Sequence, residues 1–489
     1  MQERDVDVAI IGAGTAGLSA WQTARQYSDE VVLIEGGEPG TTCARVGCMP
    51  SKLLIAAAES AHQAREAAGF GIRIGDLGID GKAVMARVRR QRDAFVESVL
   101  DSMQRIEPRN RIKGHARFEA PHTLRVGDDL RLHARTIIIA TGSRPHRPDA
   151  LHPAGDRLVD SDGVFEWEDL PESVAVFGPG IVGLELGQAL ARLGVRLRMF
   201  GKSGSLGPFR DPALRDYAER AFNGEFYLDP AAQVETIARD GDQVVITFIE
   251  RDSGQRLTER FDYLLAATGR RPNLDRLDLE NAGLALDDKG VPFYNRFTMQ
   301  CRRADGEGDA GHVFIAGDAS QELPLLHEAN QQGRIAGHNA GRYPERRAGR
   351  RSTPLSIAFT DPQMATVGLS RDEAADRFGC DGVAEGGASF EDQGRAVVMR
   401  QNRGVMRLYA EHGSGQFLGA ELFGPRVEHI AHLLAWALEQ KMGIERMLEM
   451  PFYHPVLEEG LRSALRDLNS ALLQGPAMAE RCLEYGPGG

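Results

Sequence analysis

Cysteine is scarce in this sequence, five residues in 489, which excludes the disulfide-stapled framework of a small secreted domain. Long hydrophobic runs are missing as well. No stretch of about eighteen apolar residues occurs, and the apolar start at residues 6–20 is broken by Gly12, Gly14 and Gly17 and preceded by acids. Neither a membrane span nor a secretory leader is expected, and the cytoplasm is the default compartment. Basic charge is short too. A net charge of -12 argues against a nucleic-acid partner, which needs a clustered basic surface. The one arginine-rich run, residues 346–351, is interrupted by Ala348 and Gly349 and reads as a solvated linker. There is no solenoid-type repeat and no low-complexity tract. Cys301, Cys380 and Cys482 stand alone; only Cys43 and Cys48 lie close together. With no second pair or neighbouring histidine to complete a tetrahedral site, no metal is expected, and the pair reads as catalytic.

What is present begins with length. A chain of 489 residues that is 42% apolar supports about three domains of roughly 150 residues each. Residues 6–11 form a short apolar run, followed at once by Gly12-Ala13-Gly14-Thr15-Ala16-Gly17, a helical stretch to about Tyr27, and a second apolar run at residues 31–34 ending on Glu35. Strand, glycine turn, helix, strand and acid in that order is the context that makes GxGxxG a dinucleotide site. Gly12 permits the tight turn, Gly14 lets a pyrophosphate approach the helix N-terminus, and Gly17 lets helix and strand pack closely. Glu35 is placed to accept from ribose hydroxyls. The pattern returns with the strand 174–177, the turn Gly178-Pro179-Gly180-Ile181-Val182-Gly183, a helix to a C-terminal cap at Gly194, and a strand at residues 195–200. Here the position that carries the acid in an NAD site is Gly201, followed by Lys202. Without an acid to repel a 2′-phosphate, NADP is not excluded beside NAD.

After Glu35 comes Gly40-Thr41-Thr42-Cys43-Ala44-Arg45-Val46-Gly47-Cys48-Met49-Pro50-Ser51-Lys52, then an alanine-rich helical run to about Ala68. Pro50 suits the first helical position and Gly69 a C-terminal cap. Cys48 would then lie just before a helix N-terminus, where the dipole favours thiolate. A loop this small gains little from a bridge in unfolded-state entropy, so reversible redox is the better reason for the pair.

The stretch from Cys43 to Lys52 resembles the redox-active site of the class I pyridine nucleotide-disulfide oxidoreductases. The resemblance extends to Ala140-Thr141-Gly142-Ser143-Arg144-Pro145, Ala267-Thr268-Gly269-Arg270-Arg271-Pro272, Ala316-Gly317-Asp318-Ala319 and His454-Pro455-Val456-Leu457-Glu458-Glu459. It implies an α/β fold with two Rossmann-like dinucleotide-binding domains, for FAD and NAD(P), and a C-terminal α+β dimerisation domain. The expected boundaries are 1–153 for the first FAD segment, 154–276 for the nicotinamide domain, 277–348 for the resumed FAD domain and 349–489 for the interface domain. The resemblance also implies roles. Cys43 would exchange with the dithiol substrate, and Cys48 would face the flavin. Lys52 and Glu185 would pair beside the flavin. Asp318 would bind its ribityl chain. Ala116, Thr141, Gly142 and Leu326 would complete the FAD site, and Gly269 the nicotinamide site.

Thiol–disulfide exchange needs a base, and His454 is the one histidine whose context suggests it. The resemblance puts Glu459 on its far nitrogen, with Glu458 as fallback, and brings the base to the cysteines of the other subunit of a homodimer. Tyr453 stands where a histidine is often found. The tail offers only Cys482, so the second chalcogen pair of mercuric and large thioredoxin reductases is missing. Both active-site cysteines are present, unlike in soluble transhydrogenases. The remaining reading is a dihydrolipoyl dehydrogenase, partnered by dihydrolipoamide or the lipoyl domain of a 2-oxo acid dehydrogenase-type complex. Gly201, and Arg45 where asparagine is common, restrain it in favour of a glutathione reductase-like or quinone-type NAD(P)H reductase. A non-enzymatic flavin redox sensor would have lost a catalytic piece, and none is lost.

Overall fold

The computed structural model describes residues 1–306 and 309–474; Cys482 lies outside them. The chain divides into two compact units. The first comprises Met1–Leu53, Ala86–His146 and Gly269–Ser352; the second comprises Leu54–Met85, Arg147–Thr268 and residues 353 onward.

In the first unit a sheet runs in the order Gln300–Arg302, Asp309–Ile315, Leu130–Ile139, Gln2–Ile11, Val31–Glu35, Arg111–Lys113. Its five strands from Asp309–Ile315 to Arg111–Lys113 are parallel. Parallel strands are covered on both faces and therefore read as unbroken apolar runs. Val8, Ala9 and Ile10, Ile137 to Ile139, and Val313 to Ile315 are accordingly shut off from solvent. The helices Thr15–Ala24 and Leu326–Arg342 share one face, where Ala16, Ala20, Ala24, Ala329, Ala336 and Ala340 join the core. Small residues allow the close approach: a side chain at Gly333 would meet the Ala16 carbonyl oxygen at 2.2 Å, and one at Gly337 that of Ala20 at 2.3 Å.

The second unit repeats the plan. Its parallel sheet orders Tyr227–Asp229, Arg196–Phe200, Ser173–Phe177, Tyr263–Ala266, Leu158–Asp160. An antiparallel sheet of Leu355–Ala358, Gln363–Gly368, Phe417–Gly424, Val405–Glu411 and Val383–Ser389 comes later in the chain. The helices Val427–Glu439 and Glu459–Gln474 bury Ile430, Leu434, Leu461 and Leu465 in the same core as Leu408, Phe417 and Leu422 of that sheet. Mixed α/β layers with two parallel sheets thus match the expected class. Among the described residues no helix is long and apolar enough to cross a membrane.

Several local expectations are corrected. The helix after Gly17 ends at Ala24 rather than Tyr27. Cys48 is the first residue of the helix Cys48–Glu66, not the residue before it, so Pro50 is the third helical residue. A 3₁₀ turn, Ala67–Phe70, comes next, and the left-handed cap is Gly71 (φ 80°), two residues beyond Gly69. The arginine-rich stretch is no freely solvated linker. Arg351 is nearly buried and paired with Glu322 and Glu328, Asn339 holds both the N–H and the carbonyl of Arg347, and Gly349 N–H donates to Phe297 O at 2.7 Å. Tertiary partners that no local pattern reveals hold this loop.

Candidate active site

The two glycine turns have the same geometry. Gly12 (φ 107°) donates to Ile34 O at 2.8 Å, and Gly178 (φ 105°) to Phe200 O at 2.9 Å. A side chain at Gly12 would meet Ala140 O at 2.3 Å, and one at Gly178 would meet Ala267 O at 2.4 Å. Gly17 and Gly183 are pressed equally hard against the carbonyls of Gly12 and Gly178. Positive φ and close backbone approach make glycine obligatory at these positions. Gly14 and Gly180 differ from them, because a Cβ there would touch nothing within 4 Å. Both are extended N-cap residues without a side-chain cap. The first N–H groups of each helix therefore stay available to an anion, as a pyrophosphate site requires.

The register makes Glu35 and Gly201 equivalent, each coming directly after the residue that accepts from the first glycine of its turn. The Glu35 carboxylate accepts from the N–H groups of Ala13 (2.8 Å) and Gly37 (2.7 Å) and so stands over the turn. Gly201 has no such room. A Cβ there would lie 2.3 Å from Pro230 O and 2.7 Å from Pro230 C, while Gly201 N–H donates to Asp229 O and its carbonyl accepts from Ala232. Lys202, Ser203 and Ser205 are exposed beyond it, and the Ser203 hydroxyl donates to Ser205.

Further FAD candidates gather at the strand ends of the first unit. Gly142 turns at φ 66°. Buried Thr141 Oγ1 has no hydrogen-bond partner among the described residues, a group that awaits one. Asp318 accepts from the Ser143 hydroxyl at 2.6 Å, and Arg270 donates to both Ser143 Oγ (2.8 Å) and Ser143 O (2.8 Å). Ser143 and Arg270 went unassigned in the sequence, although the repeated Ala-Thr-Gly-x-Arg-Pro motif contains both. The open Gly14 turn, the Glu35 carboxylate and the orphaned Thr141 hydroxyl fit the pyrophosphate and polyol of FAD. Gly269 (φ 92°) leaves its side-chain space open and accepts from His146 N–H. Ala116 is buried at the start of a strand, and Leu326 is half exposed at the first position of its helix.

Cys43 and Cys48 are both free thiols. The Thr41 hydroxyl caps the short helix Thr42–Arg45, which carries Cys43. Gly47 then turns the chain so tightly that a Cβ would sit 3.0 Å from Thr42 O. Arg45 pairs with Glu38. The side-chain hydrogen bond with Cys48, then burial, push the Cys43 thiol far above the ordinary thiol range, only partly offset by a backbone hydrogen bond with Cys48 and by the charge of Lys52. Of the reduced pair Cys43 is thus the thiol that holds its proton, while Cys48 stands at the start of a helix, where the dipole favours negative charge.

Glu185 is buried and accepts from Phe359 N–H at 2.8 Å. His454 is 81% exposed, with Nδ1 lying 3.0 and 3.1 Å from the two Glu459 oxygens. A carboxylate only accepts, so Nδ1 carries the hydrogen and the neutral ring presents Nε2 as its lone pair. The bond to His454 is the main reason the Glu459 carboxyl lies below the usual range, and Val456 N–H adds to it. Among the described residues no three His, Cys, Asp or Glu side chains gather as a metal site.

Residues 6–333 match the model of the pyridine nucleotide-disulphide oxidoreductases, and residues 355–465 that family's dimerisation domain. Dihydrolipoyl dehydrogenase 3 of Pseudomonas aeruginosa is 30% identical over 96% of this chain and 99% of its own. The dihydrolipoyl dehydrogenase of Halobacterium salinarum is 31% identical over 94% and 95%. Two solved structures, each 22% identical, share the fold. LpdA of Mycobacterium tuberculosis superposes with TM-score 0.79 over 94% of this chain and 99% of its own. The Cu(II) complex of the HOCl-induced flavoprotein disulfide reductase RclA of Escherichia coli does so with TM-score 0.78 over 96% and 99%.

Proposed function

Because this chain belongs to the pyridine nucleotide-disulphide oxidoreductases, we propose that this FAD-dependent, NAD(P)-linked disulfide oxidoreductase acts as a dihydrolipoyl dehydrogenase. The observation that carries the reading is the pair of free thiols, with Cys48 as the first residue of a helix and Cys43 hydrogen-bonded to it. Support for lipoamide as substrate comes from relatives of that name at about the same length.

In the oxidised enzyme, His454 Nε2 takes a proton from dihydrolipoamide, and the substrate thiolate attacks Cys43 Sγ. The Cys43–Cys48 bond breaks and its electron pair leaves on Cys48, the thiol that the helix dipole stabilises as an anion. The second substrate sulfur then closes the lipoamide disulfide and displaces Cys43, and its own proton passes to Cys43, so that the two substrate protons end on His454 and Cys43 and the electron pair on Cys48. Glu459 holds the imidazole in the tautomer with Nε2 free and stabilises the imidazolium formed. The protein is a homodimer through its dimerisation domain, and the exposed His454 is offered to the partner's cysteines. Gly12, Gly14, Gly17, Glu35, Thr141, Ser143 and Asp318 would hold FAD, which would supply two-electron chemistry between the thiol pair and the nicotinamide. Gly178, Gly180 and Gly183 hold the nicotinamide dinucleotide.

A second reading, an NADPH-linked disulfide reductase, is favoured by Gly201, where nothing repels a 2′-phosphate. One assay separates them: steady-state oxidation of dihydrolipoamide by the flavin-loaded dimer with NAD and with NADP, beside NAD(P)H-driven reduction of glutathione disulfide. Dihydrolipoamide turnover well above that of glutathione disulfide is expected. Its absence ends the first reading, and NADPH-driven glutathione disulfide turnover would establish the second.

A further inference from the structure

The arginine-rich loop that the redox chemistry does not use forms one wall of an open groove of about 540 Å³ in the first unit. Its other walls are the end of the helix Thr15–Ala24 and the turn after it, through Gln22 and Gln26, and the middle of Leu326–Arg342, through Arg334 and His338. Arg334 and Arg347 are exposed, and neither guanidinium has a carboxylate partner among the described residues. The acids nearest in sequence are already taken, Asp29 by Arg25 and Glu345 by Arg342. His338 feels the positive charge: burial first, then Arg342 and Arg347, lower its pKa, and its Nδ1 is bonded to the Tyr27 hydroxyl at 2.8 Å.

The loop backbone is set in advance. Asn339 is buried and brackets Arg347 by two hydrogen bonds, 2.8 Å to its N–H and 2.9 Å to its carbonyl. Gly349 sits where a Cβ would be 2.4 Å from Ile335 Cγ1. Two cationic forks without a carboxylate partner among the described residues, on a chain of net charge -12, face a groove that Gln22, Thr23, Gln26 and His338 also line. Guanidinium forks match phosphate oxygens bidentately, and a groove of this volume is larger than one phosphate group needs. Among the described residues no aromatic ring other than that of His338 lines it, so it offers no platform for stacking a base.

We propose that this groove binds a multiply charged phosphate compound, with Arg334 and Arg347 each clamping a phosphate group and Gln22 and Gln26 donating amide N–H. The site is separate from the glycine turns and does not rest on the lipoamide reading.

Isothermal titration of the FAD-loaded dimer with inorganic tripolyphosphate tests it, at low and at physiological ionic strength, since salt screens exposed pairs. One site per chain is expected. Affinity should fall about tenfold in R334Q or R347Q and about a hundredfold in the double variant, with melting temperature and flavin absorbance unchanged. ATP at the same concentrations separates sources: equal affinity points to a free polyphosphate, and a variant-sensitive gain points to a nucleotide. Binding that the double variant leaves intact would belong to the nicotinamide turn and overturn the proposal, as would no binding at all. Oligoglutamate binding more tightly than tripolyphosphate, with the same loss in the double variant, would assign the groove to an acidic peptide and overturn it too.

Discussion

The two glycine turns are nearly superimposable in their hydrogen bonds, yet the segments beyond them differ completely. Gly12 to Gly17 leads through a short strand to Glu35, whose carboxylate reaches back over the turn, and then to the redox cysteines. Gly178 to Gly183 leads through an equivalent strand to Gly201, pressed against Pro230, and then to an exposed Lys202. The turn decides that a pyrophosphate is held; the end of the second strand decides which dinucleotide and which chemistry attach to it. Evolution can thus reuse one frame and vary only a few residues at its rim.

The sharpest division to break is the placing of all sulfur chemistry after the first turn. Cys48→Ser should reduce disulfide turnover to background, while NAD(P)H-driven reduction of a dye, which needs both turns but no thiol, persists. The same variant tests the proton's position. Cys43 is held up chiefly by its bond with Cys48. In the reduced parent enzyme it should therefore remain a thiol as pH rises through the ordinary cysteine range, around 8.5. In Cys48→Ser its pKa should fall towards that range, stopping short of it to the extent that burial contributes. Thiolate ultraviolet absorbance across a pH titration reads this directly, and an unchanged Cys43 titration would show that the pair does not share the proton.

A smaller effect separates the turns themselves. Gly14→Ala and Gly180→Ala both place a methyl group in open space, so both variants should fold with little change in melting temperature. Each methyl group would occupy ground a pyrophosphate needs. Gly14→Ala should weaken FAD retention, and Gly180→Ala should raise the KM for the nicotinamide with flavin content intact, each by about ten- to a hundredfold, or roughly 1.4–2.8 kcal/mol. Flavin absorbance per chain and initial-rate kinetics distinguish the two. Loss of flavin from Gly180→Ala would mean that the turns are not independent.

How far the sequence anticipates these features depends on the range of the force responsible. The glycine turns are legible because positive φ and backbone contact within a few residues admit no other side chain. The His454–Glu459 bond is anticipated through the family resemblance rather than through any local rule, with Glu458 as the alternative. Helix limits are less legible: three of the expected boundaries shift because both ends of a helix respond to tertiary packing as well as to local propensity. That the largely exposed arginine loop is tied down is not legible, because its anchors, Asn339, Phe297 and Glu328, lie in other segments. Nor can composition reveal that Gly201 is small for want of space, since Pro230 is brought against it only when the neighbouring strand, Tyr227–Asp229, joins the sheet.

Gly201 therefore supports the smallest and most discriminating expectation. If the missing acid were a free choice, Gly201→Asp would turn the second unit into a copy of the first and shift preference towards NADH. The geometry argues otherwise. Its φ lies outside the left-handed region, so the constraint is space, and both of its backbone groups are bonded to the segment that crowds it. An added side chain must displace Pro230, at about 1–3 kcal/mol. The expected result is a lower melting temperature and a parallel rise in KM for NADH and NADPH. Lys202→Gln, exposed and free to be changed, should instead raise the KM for NADPH alone by about two- to fivefold, the scale of a solvent-exposed charge pair. A Gly201→Asp variant that keeps its melting temperature and gains preference for NADH would show that the strand end is open after all. The difference between the two units would then lie in selection for the nucleotide rather than in packing.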